Sequence, residues 1–186
     1  MNWYALFVKT GTEEIVREGI TSLLNFFIPD NTCEILVPKR EIIEYKKGEK
    51  SCVVKTLFPS YVLVGTNQIL KIYEIIRANR GENIMRFLRT DDCFQRISQE
   101  EISLIISLIN DRGLIGISDV FVENNRVMII DGPLVNFKGF VKKINRRKGR
   151  AKIGINFLNR KCYIDISIRC LVTYDSKVIK NELLFR

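Results

Sequence analysis

The chain has 186 residues, 46% of them hydrophobic and 27% charged, which is enough apolar side chain to bury a core and too much for a disordered tail. Thirty Lys and Arg stand against 21 Asp and Glu, a formal +9, and no His is present. The missing imidazoles exclude Ser-His-Asp and Cys-His relays and His-ligated metals, while the positive excess predicts an anionic partner.

Residues 3–8 are aromatic and β-branched and predict a strand; with no basic lead-in and no cleavage site they do not read as a signal peptide. Thr12 stands where a helix N-cap belongs, with Glu13 and Glu14 in the first turn. Ile15, Ile20, Leu23, Leu24 and Phe27 then recur at helical spacing, and Pro29-Asp30-Asn31 ends the run. Strand-like segments at 33–38 and 41–45 come next, and Lys46-Lys47-Gly48-Glu49-Lys50 turns the chain back into 51–55, a hairpin with a charged tip. The most apolar strand is 57–65, with Pro59 at its entrance, where a missing N–H does least damage. Ile69, Ile72, Tyr73, Ile75 and Ile76 predict a second helix closing near Asn79-Arg80-Gly81, and 84–88 a short strand. Ser98-Gln99-Glu100-Glu101 has the capping-box order and opens a third helix with Ile102, Leu104, Ile105, Leu108 and Ile109 as its stripe. This order predicts an α+β domain, three helices on an antiparallel sheet, over 1–112, followed by a linker at 113–124.

Beyond the linker, strand signals at 126–130, 139–145, 150–157, 162–166 and 169–174 alternate with turn signals at Asp131-Gly132-Pro133, Lys148-Gly149 and Asn159-Arg160. They predict a small all-β barrel over 125–186. Residues 1–125 hold 15 basic and 17 acidic side chains, and 126–186 hold 15 and 4, so the positive excess belongs to this second domain. Lys138, Lys142, Lys143, Arg146, Arg147, Lys148, Arg150 and Lys152 put eight cations into 15 positions, and Arg160 and Lys161 extend the set. Such a ridge suits the phosphates of an RNA helix, with Asn145, Asn156 and Asn159 able to read base edges and Phe157 or Tyr163 able to stack on an unpaired base. A merely solvated basic surface is the alternative.

Cys33, Cys52, Cys93, Cys162 and Cys170 are odd in number and form no C-x-x-C pair, so free thiols in a reducing cytoplasm are expected, with neither metal nor cofactor. No apolar stretch approaches the ~20 residues of a membrane span. The carboxylate pairs Asp91-Asp92 and Glu100-Glu101 are sequence neighbours whose side chains point apart, and no enzyme is expected.

Trp3-Tyr4-Ala5-Leu6-Phe7-Val8-Lys9-Thr10-Gly11 is similar to the opening W-Y-x-φ-x-φ-x-x-G (φ apolar) of the NusG family of transcription elongation factors. Val37-Pro38 before the charged hairpin resembles that family's second segment, and Leu57-Phe58-Pro59-Ser60-Tyr61-Val62-Leu63-Val64 its F-P-G-Y-V signature, with Ser60 in place of Gly. Val127-Met128-Ile129-Ile130-Asp131-Gly132-Pro133 with Phe137-Lys138-Gly139-Phe140-Val141 resembles a KOW module; Asn136 stands where a second Gly is common, and Arg80-Gly81-Glu82 where a P-G-V turn is expected. The resemblance implies an NGN domain that seats on the clamp coiled coil of the largest RNA polymerase subunits and touches the non-template DNA strand. The matching positions are Trp3, Tyr4, Phe58, Pro59, Tyr61, Thr66 and Asn67 for the polymerase and Asn79 and Arg80 for DNA. Core packing is the alternative for the aromatic residues, and helix capping for Thr66, Asn67 and Asn79. The basic barrel resembles the specialised LoaP type of processive antiterminator, which implies capture of a hairpin in the nascent leader RNA by a monomer. Two other readings stay open: a general elongation or pausing factor whose barrel binds a termination helicase or the ribosome, and a KOW-containing RNA-binding protein.

Overall fold

The computed structural model describes residues 1–29, 33–46, 48–123 and 126–171. In chain order its elements are β1 (Asn2–Val8), α1 (Glu13–Phe27), β2 (Glu34–Leu36), β3 (Lys39–Lys46), β4 (Glu49–Thr56), β5 (Tyr61–Thr66), α2 (Ile69–Ala78), β6 (Ile84–Phe87), β7 (Arg89–Thr90), β8 (Cys93–Phe94), β9 (Arg96–Ile97), α3 (Gln99–Leu108), β10 (Leu114–Ile115), β11 (Ser118–Glu123), β12 (Arg126–Asp131), β13 (Phe140–Asn145), β14 (Arg150–Phe157) and β15 (Arg160–Leu171). Contacts group them into two units, 1–37 with 56–102, and 38–55 with the described residues from 103 onward.

In the first unit β1 is central, paired antiparallel with β5 on one side and with β6 and β9 on the other, in the order β2-β5-β1-β6. Trp3, Tyr4, Ala5 and Leu6 are all buried, because a strand covered on both faces reads as a continuous apolar run. One face of the sheet, with Tyr4, Leu6, Val8, Val62 and Val64, packs in one core with Val16, Ile20 and Leu24 of α1 and Ile72 and Ile76 of α2. Trp3 lies across from Gly65, where a Cβ would come within 2.9 Å of the indole, so the glycine makes the slot that the ring fills. The apolar stripe of α1 runs through Val16, Ile20 and Leu24, whereas Ile15 and Phe27 of the expected stripe are 64% and 50% exposed. Ile15 sits one position, about 100°, round the helix from Val16, and only one of the two can face the sheet. Thr12 occupies the N-cap position, but its hydroxyl donates to Lys9 O (2.7 Å) instead of capping an N–H. The capping box of α3 forms as expected: Glu101 N–H donates to Ser98 Oγ and Ser98 N–H to Glu101 Oε2, each at 3.2 Å.

The second unit is a curled five-stranded sheet in the order β12-β11-β15-β14-β13, with β10, β3 and β4 as a separate three-stranded sheet. Part of the segment expected as linker is therefore structured. β11 pairs antiparallel with β12 and parallel with β15, and Val120 is fully buried; Ser118, the other inward residue of the strand, is polar and fully buried, its hydroxyl accepting the Leu134 N–H, so no apolar alternation shows the strand in the sequence. The two strands expected at 162–166 and 169–174 are one, β15, antiparallel to β14 over its first part and parallel to β11 over its last. Ser167, an apparent break in the apolar pattern, is fully buried, and its hydroxyl accepts the Ile43 N–H at 2.9 Å. Tyr174 lies outside the described residues. The hairpin β3–β4 also belongs to this unit: β3 pairs in parallel with β10 at Lys39↔Leu114, and Arg40 donates to Asp165 O at 2.6 Å. The fold class is thus the expected one, three helices with an antiparallel sheet in the N-terminal part of the chain and a curled sheet in the C-terminal part.

The β14–β15 turn has Leu158 at φ +54° and Asn159 at φ +61°, the backbone of a two-residue hairpin that favours Asn and Gly. A γ-branched leucine there is strained, so Leu158→Asn is expected to stabilise the protein by about 1 kcal/mol, read as a rise of a few degrees in thermal midpoint. An unchanged or lowered midpoint would show that Leu158 packing outweighs the backbone term.

Candidate nucleic-acid interface

Alternation along β14 sends Ala151, Ile153, Ile155 and Phe157 into the core and Lys152 and Asn156 to solvent. Lys142 and Lys143 of β13 and Lys161 and Tyr163 of β15 are exposed as well. Between β13 and β14, Asn145 Oδ1 accepts the Lys148 N–H at 3.0 Å and Gly149 takes φ +59°, a tight turn that holds Arg146, Arg147 and Lys148 out in solvent. With Lys138 and Arg160, nine of the ten expected RNA-binding cations are exposed. Arg150 is the exception. It is half-buried, donates to Ile43 O at 3.1 Å and lies 3.9 Å from Asp165, so it anchors the β3–β4 hairpin. Lys152 reaches the other Asp165 oxygen, also at 3.9 Å. Burial pulls the pKa of the neighbouring Arg40 down, Asp165 pushes it up and Arg150 lowers it further. Of the edge-reading candidates, Asn145 is committed to its turn, Asn159 shapes the next one and Asn156 is exposed. Phe157 is 5% exposed and serves the core, which corrects the stacking role considered for it; Tyr163 is at the surface, 44% exposed.

In the first unit, Trp3, Tyr4 and Phe58 are buried, with Tyr4 edge-on to Phe94 at 6.4 Å. Tyr61 is half-buried and tilted against Phe7 at 5.7 Å, and Pro59 and Asn67 are exposed. Thr66 is buried, its hydroxyl accepting the Gln68 N–H at 3.0 Å ahead of α2. The surface offered by the expected polymerase-binding set is therefore Pro59, Tyr61 and Asn67. Asn79 and Arg80 are both exposed, but Asn79 donates to Ile75 O at 3.0 Å, closing α2, and Arg80 donates to Ile84 O and Met85 O at 2.8 and 2.7 Å.

Around Arg80 the fold assembles a feature that sequence reasoning missed. Arg77, Arg80, Arg86 and Arg89 line one groove of about 400 Å³ whose apolar wall includes Tyr73 and Phe87. The Arg89 guanidinium stacks 5.0 Å from the Tyr73 ring and 4.5 Å from that of Phe94, which holds it in place. Four arginines within 13 positions, interrupted by a single acidic residue, Glu82, were the available signal. Such a groove suits a phosphate backbone beside bases that rest on an apolar wall.

Ser60 has φ +71°, the left-handed region in which glycine is unstrained, which is the physical reason that a glycine suits this position of the F-P-G-Y signature. Two neighbours hold the serine there. Glu13 Oε1 accepts the Ser60 N–H at 2.7 Å and the Gly11 N–H at 3.1 Å, and the Ser60 and Thr10 hydroxyls are 2.6 Å apart. Burial pushes the Glu13 carboxyl up, but the backbone N–H donors of Ser60, Glu13 and Gly11 outweigh it and hold its pKa below the ordinary 4.5. A lowered folded-state pKa gives stability that is present above the ordinary value and is lost as the pH falls through the folded value. Glu13→Ala is therefore expected to cost about 1–3 kcal/mol at neutral pH, with the gap to the parent narrowing in acid below pH 4.5, as read by chemical denaturation across pH. A gap that does not change with pH would mean that the charge plays no part.

The family model described as "Transcription termination factor nusG" matches residues 1–106. The transcription termination/antitermination protein NusG of Helicobacter pylori is 27% identical over 168 residues, 89% of this chain and 94% of the relative. The protein of the same name from Thermus thermophilus is 25% identical over 185 residues, covering 92% and 98% of the two chains. Among solved structures, that on domain interaction in Thermotoga maritima NusG superposes with a TM-score of 0.54 at 22% identity, covering 89% of this chain and 93% of the other, a likeness of fold.

Proposed function

Because the chain belongs to the NusG family, we propose that it is a transcription elongation factor that docks on RNA polymerase through its N-terminal domain, residues 1–112, and holds nascent leader RNA with its basic C-terminal domain, 125–186. The observation that carries the RNA half is the set of nine exposed cations on and around β13, β14 and β15. A domain that bound only a helicase or a ribosomal protein would not need them. The partner for such a ridge is a structured RNA, a hairpin in the leader, as in processive antiterminators of the LoaP type.

For polymerase docking, Pro59, Tyr61 and Asn67 provide the surface, and Trp3, Tyr4, Phe58 and Thr66 are the buried support that fixes their positions. Asn79 and Arg80, with the arginines that share the groove, face the non-template strand. No chemistry is required of any of these groups. Binding that is tighter to the elongating polymerase than to its paused state shifts the population toward elongation, and the RNA contact raises the local concentration of the factor.

Read-through of a terminator in a purified transcription system tests this reading, using templates that encode or lack a leader hairpin. Read-through is expected to rise only with the hairpin, and Tyr61→Ala to lose polymerase co-purification while keeping RNA binding. Equal effects on both templates would identify a general factor, and polymerase retention by Tyr61→Ala would move the docking surface elsewhere.

A further inference from the structure

On the outer face of the second unit, Phe140, Gly154 and Tyr163 stand in register across three strands, Phe140↔Gly154 and Gly154↔Tyr163. Two aromatic side chains flank a position that has no side chain. A Cβ at Gly154 would lie 3.4 Å from Tyr163 Cε1, 3.5 Å from Lys161 Cε and 3.7 Å from Phe140 O, so the glycine keeps the floor between the rings low. Phe140 and Tyr163 remain 57% and 44% exposed, a large apolar presence for the outer face of a small sheet.

Cations surround the pair. Lys142 Nζ sits 4.1 Å from the Tyr163 centroid, and Lys161 Nζ is 5.6 Å from that of Phe140 and 5.8 Å from that of Tyr163. At exposed positions such lysine contacts are weak and exchange readily. Asn156, directly opposite Lys161, adds an amide at the edge of the row. Exposed rings between lysines fit a ligand with flat apolar faces on an anionic chain. A fully paired helix keeps its base faces inside the stack, whereas unpaired nucleotides offer theirs.

We infer that Phe140 and Tyr163 form a stacking platform for unpaired nucleotides of the bound RNA, with Lys142 and Lys161 moving from the rings to the flanking phosphates. This rests on the RNA-binding proposal and sharpens it: the cation ridge grips the stem, and the platform selects the loop. The alternative occupant, an acidic protein segment, is addressed by the test.

The test titrates the full chain with two RNA probes, a hairpin whose stem closes on an unpaired purine loop, and a blunt duplex with the sequence of that stem. In the Phe140→Ala/Tyr163→Ala variant, affinity for the hairpin is expected to fall about tenfold or more while duplex affinity stays unchanged. Phe140→Ala alone is expected to lose part of the loop preference, and Tyr163→Phe, which keeps its ring, to retain it fully. Thermal melts of each variant report that the fold persists. Equal loss on both probes, or no loss on either, overturns the platform and leaves RNA binding standing. If neither probe binds the parent chain, the platform and the RNA-binding proposal fall together, and an acidic protein partner becomes the occupant to seek.

Discussion

Replacing Lys142, Lys143, Arg146, Arg147 and Lys148 together with glutamine is expected to weaken binding of a structured leader RNA by about 10²–10⁴-fold, and to flatten the dependence of log affinity on log salt by roughly 3–5. Each lysine or arginine that neutralises a phosphate releases about one counterion, so losing several such contacts lowers the affinity and the salt slope together. The five residues are exposed and lie on β13 and the turn between it and β14. Arg150 is left in place because it holds Ile43 O, and removing it would confuse a folding defect with a binding defect. Surface replacements of this kind usually change stability by less than about 0.5 kcal/mol. Fluorescence anisotropy across a salt series is the measurement. An unchanged slope with reduced affinity would mean that the lysines and arginines do not sit on phosphates, and an unchanged affinity would leave the ridge as a solvated surface.

Gly132→Ala is expected to destabilise the second unit by about 3–5 kcal/mol. Gly132 takes φ +93°, and a Cβ there would lie 2.7 Å from Ile117 O and from Ser118 Cα. Both are main-chain atoms, so no rotamer change can relieve the clash, and the strained φ adds to it. The turn also positions the segment after it: Ser118 Oγ accepts the Leu134 N–H at 3.1 Å, Val135 N–H donates to Gly132 O at 3.0 Å, and Leu134 and Phe137 are buried. Gly19→Ala is the control. Gly19 lies within α1 with nothing inside 4 Å of the added Cβ, and alanine there is expected to stabilise by about 1 kcal/mol. Denaturant unfolding of both variants checks the pair. A mild effect of Gly132→Ala would show that the loop relaxes around the methyl group.

Much of the first unit was legible because its signals are local. The continuous apolar run of β1, the stripe of α2 and the Ser98–Glu101 capping box each depend on residues a few positions apart, and each formed where the spacing put it. The chosen face of α1 was less legible: Ile15 and Val16 are both apolar, and only the sheet beneath the helix decides which one is buried. Likewise the buried hydroxyl of Ser118 masked β11, because its partner, the Leu134 N–H, comes from a later turn, and Ser167 broke an apparent strand because its partner, the Ile43 N–H, is more than a hundred positions away.

The same division holds for the candidate interface. Residue identities were enough to establish that the positive excess lies beyond residue 125, that no histidine chemistry exists and that the chain turns at Asp131-Gly132-Pro133, since charge and turn propensity belong to single residues and their neighbours. Folding settled the rest: Phe157 is core while Tyr163 is surface, Arg150 is an anchor while Lys142 is exposed, and Arg77, Arg80, Arg86 and Arg89 share one groove. It also set Phe140, Gly154 and Tyr163 side by side. Strand register and burial are set by pairing between distant segments, and one step of register reverses which face every side chain takes.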